Sequence, residues 1–367
     1  MKFLKGFPTK ELERRFIERI HHFSSRHPQP IKLMEVCGTH IVAISRSGLR
    51  DVISENIVLL SGPGCPVYVT SNRKIDYSIA LSREKDVIIT TFGDMMRVPG
   101  SSSSLAQERT NGGDIRVVYS AIDALKITQA NPDKRTVFFA IGFETTAPTV
   151  AATILEAERS HIGNFSILPA HKLVPPALRA LVTTQELALD GFICPGHVSA
   201  IIGNRPYKEI AENYRIPCVI TGFEPLDILS AVYLLVKQVI EGSTKVENQY
   251  RRCVREEGNP VALKMLLRVF EEDDAEWRGM GVIPSSGLKL KEKYRRFDAE
   301  QLFAAETEET RIPAGCLCGD VLRGIKSPLE CPLFGTVCTP EDPQGACMVS
   351  SEGSCAAYHK YNREKIN

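Results

Sequence analysis

Six short apolar runs, each followed by glycine and polar residues, constrain the fold of this chain more than any other feature. They occur in IKLMEVCGTH, NIVLLSGPGCP, DVIITTFGDMM, TVFFAIGFETT, LDGFICPGH and PCVITGFEPLD. Continuous apolar runs are typical of strands that are buried on both faces of a parallel sheet. Segments with helical character, such as SAIDALKITQA and TVAATILEAERS, lie between them. This alternation predicts an α/β architecture with mainly parallel sheets.

A short repeat suggests that the α/β part consists of two related lobes. Gly-Phe-Glu follows an apolar run twice, which places Glu144 and Glu224 at similar points of two half-structures, although chance similarity of strand-end loops is an equal alternative. With ~150 residues per domain, we expect residues 1–150 to form a first lobe with an N-terminal helix and residues 151–300 a second lobe. We expect residues 301–367 to form a small cysteine-rich domain.

Composition narrows the class of protein. Hydrophobic residues make up 43% and charged residues 24% of the chain, and the formal net charge is +1. These values are ordinary for a globular protein and argue against an extended surface for nucleic acid or an anionic membrane. No apolar run approaches the ~20 residues that span a bilayer, and the start of the chain lacks the apolar segment of a secretory signal. We therefore expect a cytoplasmic protein.

The cysteines are concentrated near the end of the chain. Six of the eleven lie there: Cys316, Cys318, Cys331, Cys338, Cys347 and Cys355. In a reducing compartment, clustered cysteines are more often metal ligands or redox groups than disulfides. Four thiolates can hold zinc or a cubane iron–sulfur cluster. The absence of CxxC pairs favours the cluster over zinc, with buried or disulfide-linked cysteines as a third alternative.

Two further cysteines follow predicted strands near the N-terminus. Cys37 precedes Thr39 and His40, so it could be a thiolate activated by imidazole, part of a metal site, or a buried thiol beside a histidine that binds a backbone carbonyl. Cys65 stands on a Gly-Pro-Gly turn, which suits a thiol that must approach another group closely. Tyr68 occupies the position where a CxxC motif would have its second cysteine, so a local disulfide is impossible.

Other polar residues also follow the apolar runs. Since ligands of open α/β sheets bind at the carboxyl ends of the strands, we expect these side chains to share a cleft with Cys37 and Cys65. They are Thr39, Asp94, Arg97, Glu144, Thr145, His171, His197, Ser199 and Glu224.

The chain resembles the HypD family of [NiFe]-hydrogenase maturation factors along nearly its whole length. The resemblance is carried by MEVCGTH, GPGCPV, GDMMRVPG, FFAIGFETTAP, DGFICPGHVSAIIG, GFEPLDIL, VENQYRR, GVIPSSGL and CPLFGTVCTPEDPQGACMVSSEGSCAAY. It implies a two-lobed α/β protein with a C-terminal [4Fe-4S] domain. It also implies a scaffold on which the Fe(CN)2CO unit of the hydrogenase is assembled, with a HypC-type small chaperone and a HypE-type cyanide donor as partners.

The resemblance also implies residue roles. Cys37 would hold the iron that is being assembled, with His40 beside it and Cys65 as a further reactive thiol. The cluster ligands would be Cys331, Cys338, Cys347 and Cys355. The cluster would supply electrons, and the role of the remaining Cys316 and Cys318 is left open.

The chain departs from the family at Tyr68, where the family typically has a second cysteine. Either the redox step does not need that pair, or the protein is a specialised or impaired paralogue, or another thiol substitutes. Cys194 is the candidate substitute, because it follows a predicted strand that should face the same cleft.

Two other functions compete with the scaffold. An iron–sulfur-dependent thiol–disulfide oxidoreductase would use the same cysteines, but Tyr68 counts against it because such enzymes need a resolving pair. A zinc-stapled binding protein without redox activity would be colourless, whereas a cubane cluster is brown.

Overall fold

The structure, a computed structural model, describes residues 9–184 and 187–361. Two parallel sheets and one antiparallel hairpin form its framework. The strands are β1 (Ile31–Glu35), β2 (Ile57–Ser61), β3 (Val87–Thr91), β4 (Asp114–Val117), β5 (Arg135–Gly142), β6 (Phe165–His171), β7 (Gly191–Pro195), β8 (Cys218–Thr221), β9 (Val246–Asn248), β10 (Phe270–Trp277) and β11 (Gly281–Leu290). The six apolar runs form β1, β2, β3, β5, β7 and β8, which confirms the predicted α/β fold class.

Helices connect and cover the strands. They are α1 (Thr9–Ser24), α2 (Gly38–Arg46), α3 (Leu49–Val52), α4 (Pro66–Val69), α5 (Asn72–Ser82), α6 (Leu105–Thr110), α7 (Ala121–Ala130), α8 (Ala147–Arg159), α9 (Val174–Thr183), α10 (Gly196–Ile202), α11 (Lys208–Asn213), α12 (Pro225–Ile240), α13 (Pro260–Val269), α14 (Ala299–Leu302), α15 (Cys318–Leu322), α16 (Ala346–Val349) and α17 (Ser354–Tyr361). Among the described helices, none combines the length and apolar character needed to cross a membrane.

The first sheet has the strand order β2-β1-β7-β8-β9, with every neighbour parallel. One face of it packs against α1 and α12, through buried residues that include Ile20, Leu33 and Val232. The predicted N-terminal helix is thus present as α1. The opposite face carries Met34, Phe192 and others into the main core of the molecule.

The second sheet has the order β4-β3-β5-β6 and is also parallel throughout. The predicted boundary at residue 150 does not separate the two sheets. The first sheet takes strands from residues 31–61 and 191–248, and the second lies between them in sequence, at residues 87–171. The apolar pattern identifies strands but carries no signal for which strands pair, because every buried parallel strand has the same kind of sequence.

The cysteine-rich segment after residue 310 contains short helices and turns. It packs against the carboxyl edge of the first sheet: α16 contacts α4, and α17 contacts α2. This docking brings the last cysteines of the chain to the loops that follow β1 and β2.

Candidate functional site

The loops after β1 and β2 lie against each other at the carboxyl edge of the first sheet. The backbone N–H of Gly38 donates to the carbonyl of Gly64 over 2.8 Å. Gly64 is required for this contact, because a Cβ there would collide with the backbone nitrogen of Cys37. The Gly-Pro-Gly turn therefore brings the chain segments of Cys37 and Cys65 together, as the sequence predicts.

Two opposing effects act on the Cys37 thiol. Cys37 occupies the N-cap position of α2, and the backbone N–H groups of His40 and Thr39 favour its thiolate. Burial favours the neutral thiol and is the larger effect, so the pKa of Cys37 is raised to about 11. The Cys37 sulfur is therefore a neutral thiol at pH 7. If a bound cation compensates for burial, the nearby N–H groups favour the thiolate.

Cys65 stands in the equivalent position at the N-terminus of α4 and is also buried. Its Sγ lies 3.6 Å from Oγ of Ser350 in the C-terminal segment. Burial raises the pKa of Cys65 to about 12. Both thiols are therefore protonated in the protein as it stands.

Tyr68 is completely buried and takes part in the structure of the same turn. Its hydroxyl donates to the carbonyl of Gly62 and accepts from the N–H of Gly64, both over 3.0 Å. Burial raises the pKa of this phenol well above its usual value. The tyrosine thus stabilises the turn that carries Cys65 instead of providing a second thiol.

His40 is buried and binds a backbone carbonyl through one ring nitrogen. Its Nε2 lies 2.9 Å from the carbonyl of Gly222, and burial lowers the pKa of the imidazole to about 4. This is the third sequence alternative, a histidine that binds a backbone carbonyl. The ring also packs on Phe223, with 4.7 Å between centroids, and His197 stacks on the same phenyl ring at 4.1 Å.

Glu352 reaches this site from the C-terminal segment. Its Oε1 accepts a hydrogen bond from Oγ1 of Thr39 over 2.7 Å, and its charge contributes to the raised pKa of Cys37. Sequence reasoning missed both Glu352 and Phe223. The available signal for Glu352 was its position among the closely spaced cysteines, in SSEGSC.

The six C-terminal cysteines form one cluster of thiols. Sγ of Cys347 lies 3.0 Å from Sγ of Cys355, and Cys347 also contacts Cys318. Gly345 lies against the sulfur of Cys316. The remaining members act electrostatically on the others: Cys331 and Cys338 both affect Cys316 and Cys355. Cys316 and Cys318 therefore belong to the same cluster as the four predicted ligands.

The donor set of this cluster suits an iron–sulfur centre, since it consists of soft thiols that are largely buried. No group of three or more His, Cys, Asp or Glu side chains within residues 9–184 and 187–361 is arranged to hold a single metal ion. A cubane has a different requirement, because each thiolate binds a different iron.

The thiol cluster lies next to the Cys37 and Cys65 loops. Cys347 lies within the short helix α16 and Ser350 directly follows it, and α16 packs against the Cys65 helix α4. The charge of Cys347 acts on Tyr68. The two groups of cysteines, far apart in sequence, thus share one region of the molecule.

Several predicted cleft residues lie elsewhere. Glu144 is buried and accepts a hydrogen bond from the N–H of Val174 over 2.9 Å. It lines a separate cavity of about 400 Å³ between α9 and α13. Burial raises the pKa of its carboxyl to about 7. Thr145 adjoins it and is half-buried. Glu224 is exposed at the start of α12, so the two Gly-Phe-Glu loops differ in environment.

Asp94 is exposed in the turn after β3. Its neighbour Arg97 donates to the carbonyls of Pro340 and Val349, over 3.0 and 3.3 Å, which ties this turn to the C-terminal segment.

Cys194 is fully buried in β7, next to the thiol of Cys218 and 3.9 Å from the carbonyl of Phe192. Its suggested pairing with Cys65 stays a prediction.

Ser199 and His171 are also buried outside the Cys37 site. Ser199 donates to the carbonyl of Pro195, while neither ring nitrogen of His171 has a hydrogen-bond partner within the described residues.

Known proteins resemble this chain over its full length. The model of a family named HypD, described as the hydrogenase formation hypA family, matches residues 11–362. The hydrogenase maturation factor HypD of Cupriavidus necator is 45% identical, covering 100% of this chain and 98% of its own. The HypD of Escherichia coli is 44% identical, and the match covers 100% of this chain and 99% of the E. coli protein. HypD2 of Bradyrhizobium diazoefficiens is 46% identical, and the match covers 99% of this chain and 97% of that protein. This chain belongs to the HypD family.

Proposed function

We propose that this protein is a hydrogenase maturation factor on which an iron atom receives its cyanide and carbonyl ligands. The names of its relatives support the general role. The single observation that carries the specific role is the position of the Cys37 thiol, buried at the N-terminus of α2 beside Cys65 and the cysteine-rich segment.

Cys37 is the proposed ligand of the iron substrate. Iron with cyanide and carbonyl ligands is electron-rich, and a soft thiolate suits it. As iron binds, the thiol loses its proton, because the cation replaces the solvation that burial removed. The backbone N–H groups of Thr39 and His40 then stabilise the thiolate charge.

The surroundings of Cys37 suit small, polar ligands on iron. Glu352 holds the Thr39 hydroxyl through a hydrogen bond, and Phe223 and His40 exclude water from one side. His197 is exposed and stacks on Phe223, so its ring can donate to a cyanide nitrogen at the open side.

The cysteine-rich segment is the proposed site of a [4Fe-4S] cluster. The predicted ligands are Cys331, Cys338, Cys347 and Cys355, and Cys316 and Cys318 interact with members of this set. When bound, such a cluster supplies single electrons. The packing of α16 on α4 supports delivery to the Cys37 region.

The decisive experiment is anaerobic co-purification with a HypC-type chaperone and a HypE-type cyanide donor, followed by infrared spectroscopy. Wild type should display CN and CO stretching bands, and Cys37→Ala should lose them while its melting temperature stays near that of wild type. Cys253→Ala is the matched control, since this exposed cysteine lies outside the site. Unchanged bands in Cys37→Ala contradict the assignment.

A thiol–disulfide oxidoreductase is the second candidate. The distance of 3.0 Å between the sulfurs of Cys347 and Cys355 favours it, whereas Tyr68 removes the resolving thiol next to Cys65. Reduction of a protein disulfide without any HypC-type partner would support this alternative. Comparison of wild type with Tyr68→Cys in both assays separates the two functions.

A further inference from the structure

Arg278 lies at the tip of the β10–β11 hairpin, where it meets the cysteine-rich segment. Its backbone N–H donates to the carbonyl of Val69 over 2.9 Å, and its Nε donates to the carbonyl of Thr70 over 3.1 Å. These bonds fix the side chain next to the C-terminal end of α4. Its Nη2 atom is buried and has no hydrogen-bond partner within the described part of the chain.

The hairpin tip lies directly on the cysteine-rich segment. Gly279 has a φ of +73°, and a Cβ at that position would collide with Gly319, the residue after Cys318. A cavity of about 250 Å³ opens at this contact, lined by Arg278, Cys316 and Cys318 among others. The guanidinium and the thiols therefore face the same small space.

As cluster-bound thiolates, the cysteines would be the main negative partners of Arg278. Cys318, Cys347 and Cys316 are the groups that most favour its charged form, opposing the burial that lowers its pKa. Asp76 acts more weakly and is already bound by the N–H and hydroxyl of Ser101, both over 2.7 Å. A guanidinium remains charged in such a setting, and its buried Nη2 has no hydrogen-bond partner among the residues that the structure describes.

We propose that Arg278 is the counter-charge of the iron–sulfur cluster and favours its reduced state. This inference rests on the proposed cluster in the cysteine-rich segment. Thiolate-bound clusters are anionic, and their reduction potentials depend on net charge and nearby hydrogen bonds. Arg278 is a positioning residue in this role: it acts through the thiolates and does not bind iron.

The effect follows from charge alone. One electron from dithionite reduces the cluster, no bond forms or breaks, and the negative charge of the cluster grows by one. A fixed positive charge nearby stabilises the more negative state more strongly. Its removal should lower the midpoint potential.

The test is a dithionite titration of anaerobically purified full-length protein, followed by electron paramagnetic resonance. Arg278→Met should lower the ratio of reduced to oxidised cluster at a fixed potential by ~tenfold, which corresponds to ~59 mV for one electron. Arg278→Lys, which keeps the charge, should remain near wild type. Arg159→Met is the control and should keep the wild-type potential, because Arg159 is an exposed arginine at the end of α8 and does not line this cavity.

The outcomes separate this inference from the proposed function. Wild type without iron–sulfur absorbance would contradict the cluster itself and the inference with it. A cluster whose potential is the same in wild type and Arg278→Met would contradict the inference alone. If Arg278→Met does not retain iron, the Arg278→Lys variant decides. Iron retained at a wild-type potential in Arg278→Lys supports the role of Arg278 as counter-charge. Loss of iron in both variants contradicts that role.

Discussion

At the scale of single residues, the site is governed by competition between burial and local hydrogen bonds. The N-terminus of α2 favours a Cys37 thiolate, yet burial outweighs it and keeps the thiol neutral. At Tyr68, by contrast, hydrogen bonds compensate for burial. The hydroxyl accepts from the N–H of Gly64 and donates to the carbonyl of Gly62. The turn that carries Cys65 is held in place by these bonds, while burial keeps its thiol protonated.

Tyr68→Phe should destabilise the protein. The change removes both hydrogen bonds of the buried phenol and leaves the N–H of Gly64 and the carbonyl of Gly62 with only their mutual bond of 2.8 Å, which costs about 1–3 kcal/mol. The measurement is the free energy of unfolding in urea. Tyr119→Phe, on a side chain that is 94% exposed, should change nothing. Equal stability of Tyr68→Phe and wild type would contradict the role assigned to the hydroxyl.

His171 should make stability depend on pH. It is buried at the end of β6, neither ring nitrogen has a hydrogen-bond partner among the described residues, and burial lowers its pKa to about 3. In the unfolded chain this histidine has a pKa of ~6.5 and binds a proton below that pH, whereas in the folded protein it stays neutral. The free energy of unfolding therefore falls as the pH decreases below ~6.5.

Between pH 7 and pH 5.5, wild type should therefore lose about 1 kcal/mol more stability than His171→Leu. Urea unfolding at the two pH values measures this difference. His22→Leu changes an exposed histidine and should retain the wild-type pH dependence. The same pH dependence in wild type and His171→Leu would show that His171 does not titrate on unfolding.

At the scale of elements, the cysteine-rich segment is attached to the first sheet through two short helices. α17 packs on α2, α16 packs on α4, and Glu352 between them binds Thr39. These helices are too short to be stable alone. Their order depends on docking and, in our proposal, on the thiolate-bound cluster, because metal binding and folding are coupled in such segments.

Cys338→Ser should therefore lose iron and loosen the cysteine-rich segment. Cys338 is buried and accepts a hydrogen bond from the N–H of Gln344 over 3.3 Å. Iron content and the rate of cleavage by trypsin after residue 310 are the measurements. The exposed Cys253 gives the matched control, Cys253→Ser, which should keep both properties. An unchanged iron content in Cys338→Ser would remove this residue from the ligand set.

At the scale of the whole molecule, the chain forms one sheet, leaves it for the second, and then returns. β1 lies between β2 and β7, so the N-terminal strands complete their sheet only after residue 191 has been added. The chain therefore passes between the two sheets twice. The cysteine-rich segment packs on both α2 and the β10–β11 hairpin.

A fragment of residues 1–150 should not fold alone. It contains β1 without its neighbour β7, and β5 without β6. Unpaired parallel strands leave buried backbone groups without partners and expose apolar side chains. Circular dichroism during heating should reveal no cooperative transition in the fragment, whereas full-length protein should unfold cooperatively. A cooperative transition in the fragment would contradict this dependence on β7.

Much of the fold follows from local patterns. The apolar runs were sufficient to predict β1, β2, β3, β5, β7 and β8, and the loops of Cys37 and Cys65 do lie together. The shared cleft was overestimated, because Glu144 follows a strand of the second sheet and Glu224, although it follows a strand of the first, is exposed. Strand ends meet only within a sheet, and sheet membership is a long-range property.

The sequence alone determined the strands, the glycine turns and the thiols available to a site, since these are encoded in residue type and spacing. Only the tertiary structure decided which of them meet. Glu352 reaches Thr39 across 313 positions, and Arg278 reaches the cysteines through a hairpin. Such contacts depend on how packed surfaces fit, and no local pattern records them, because their partners are chosen by the folding of the whole chain.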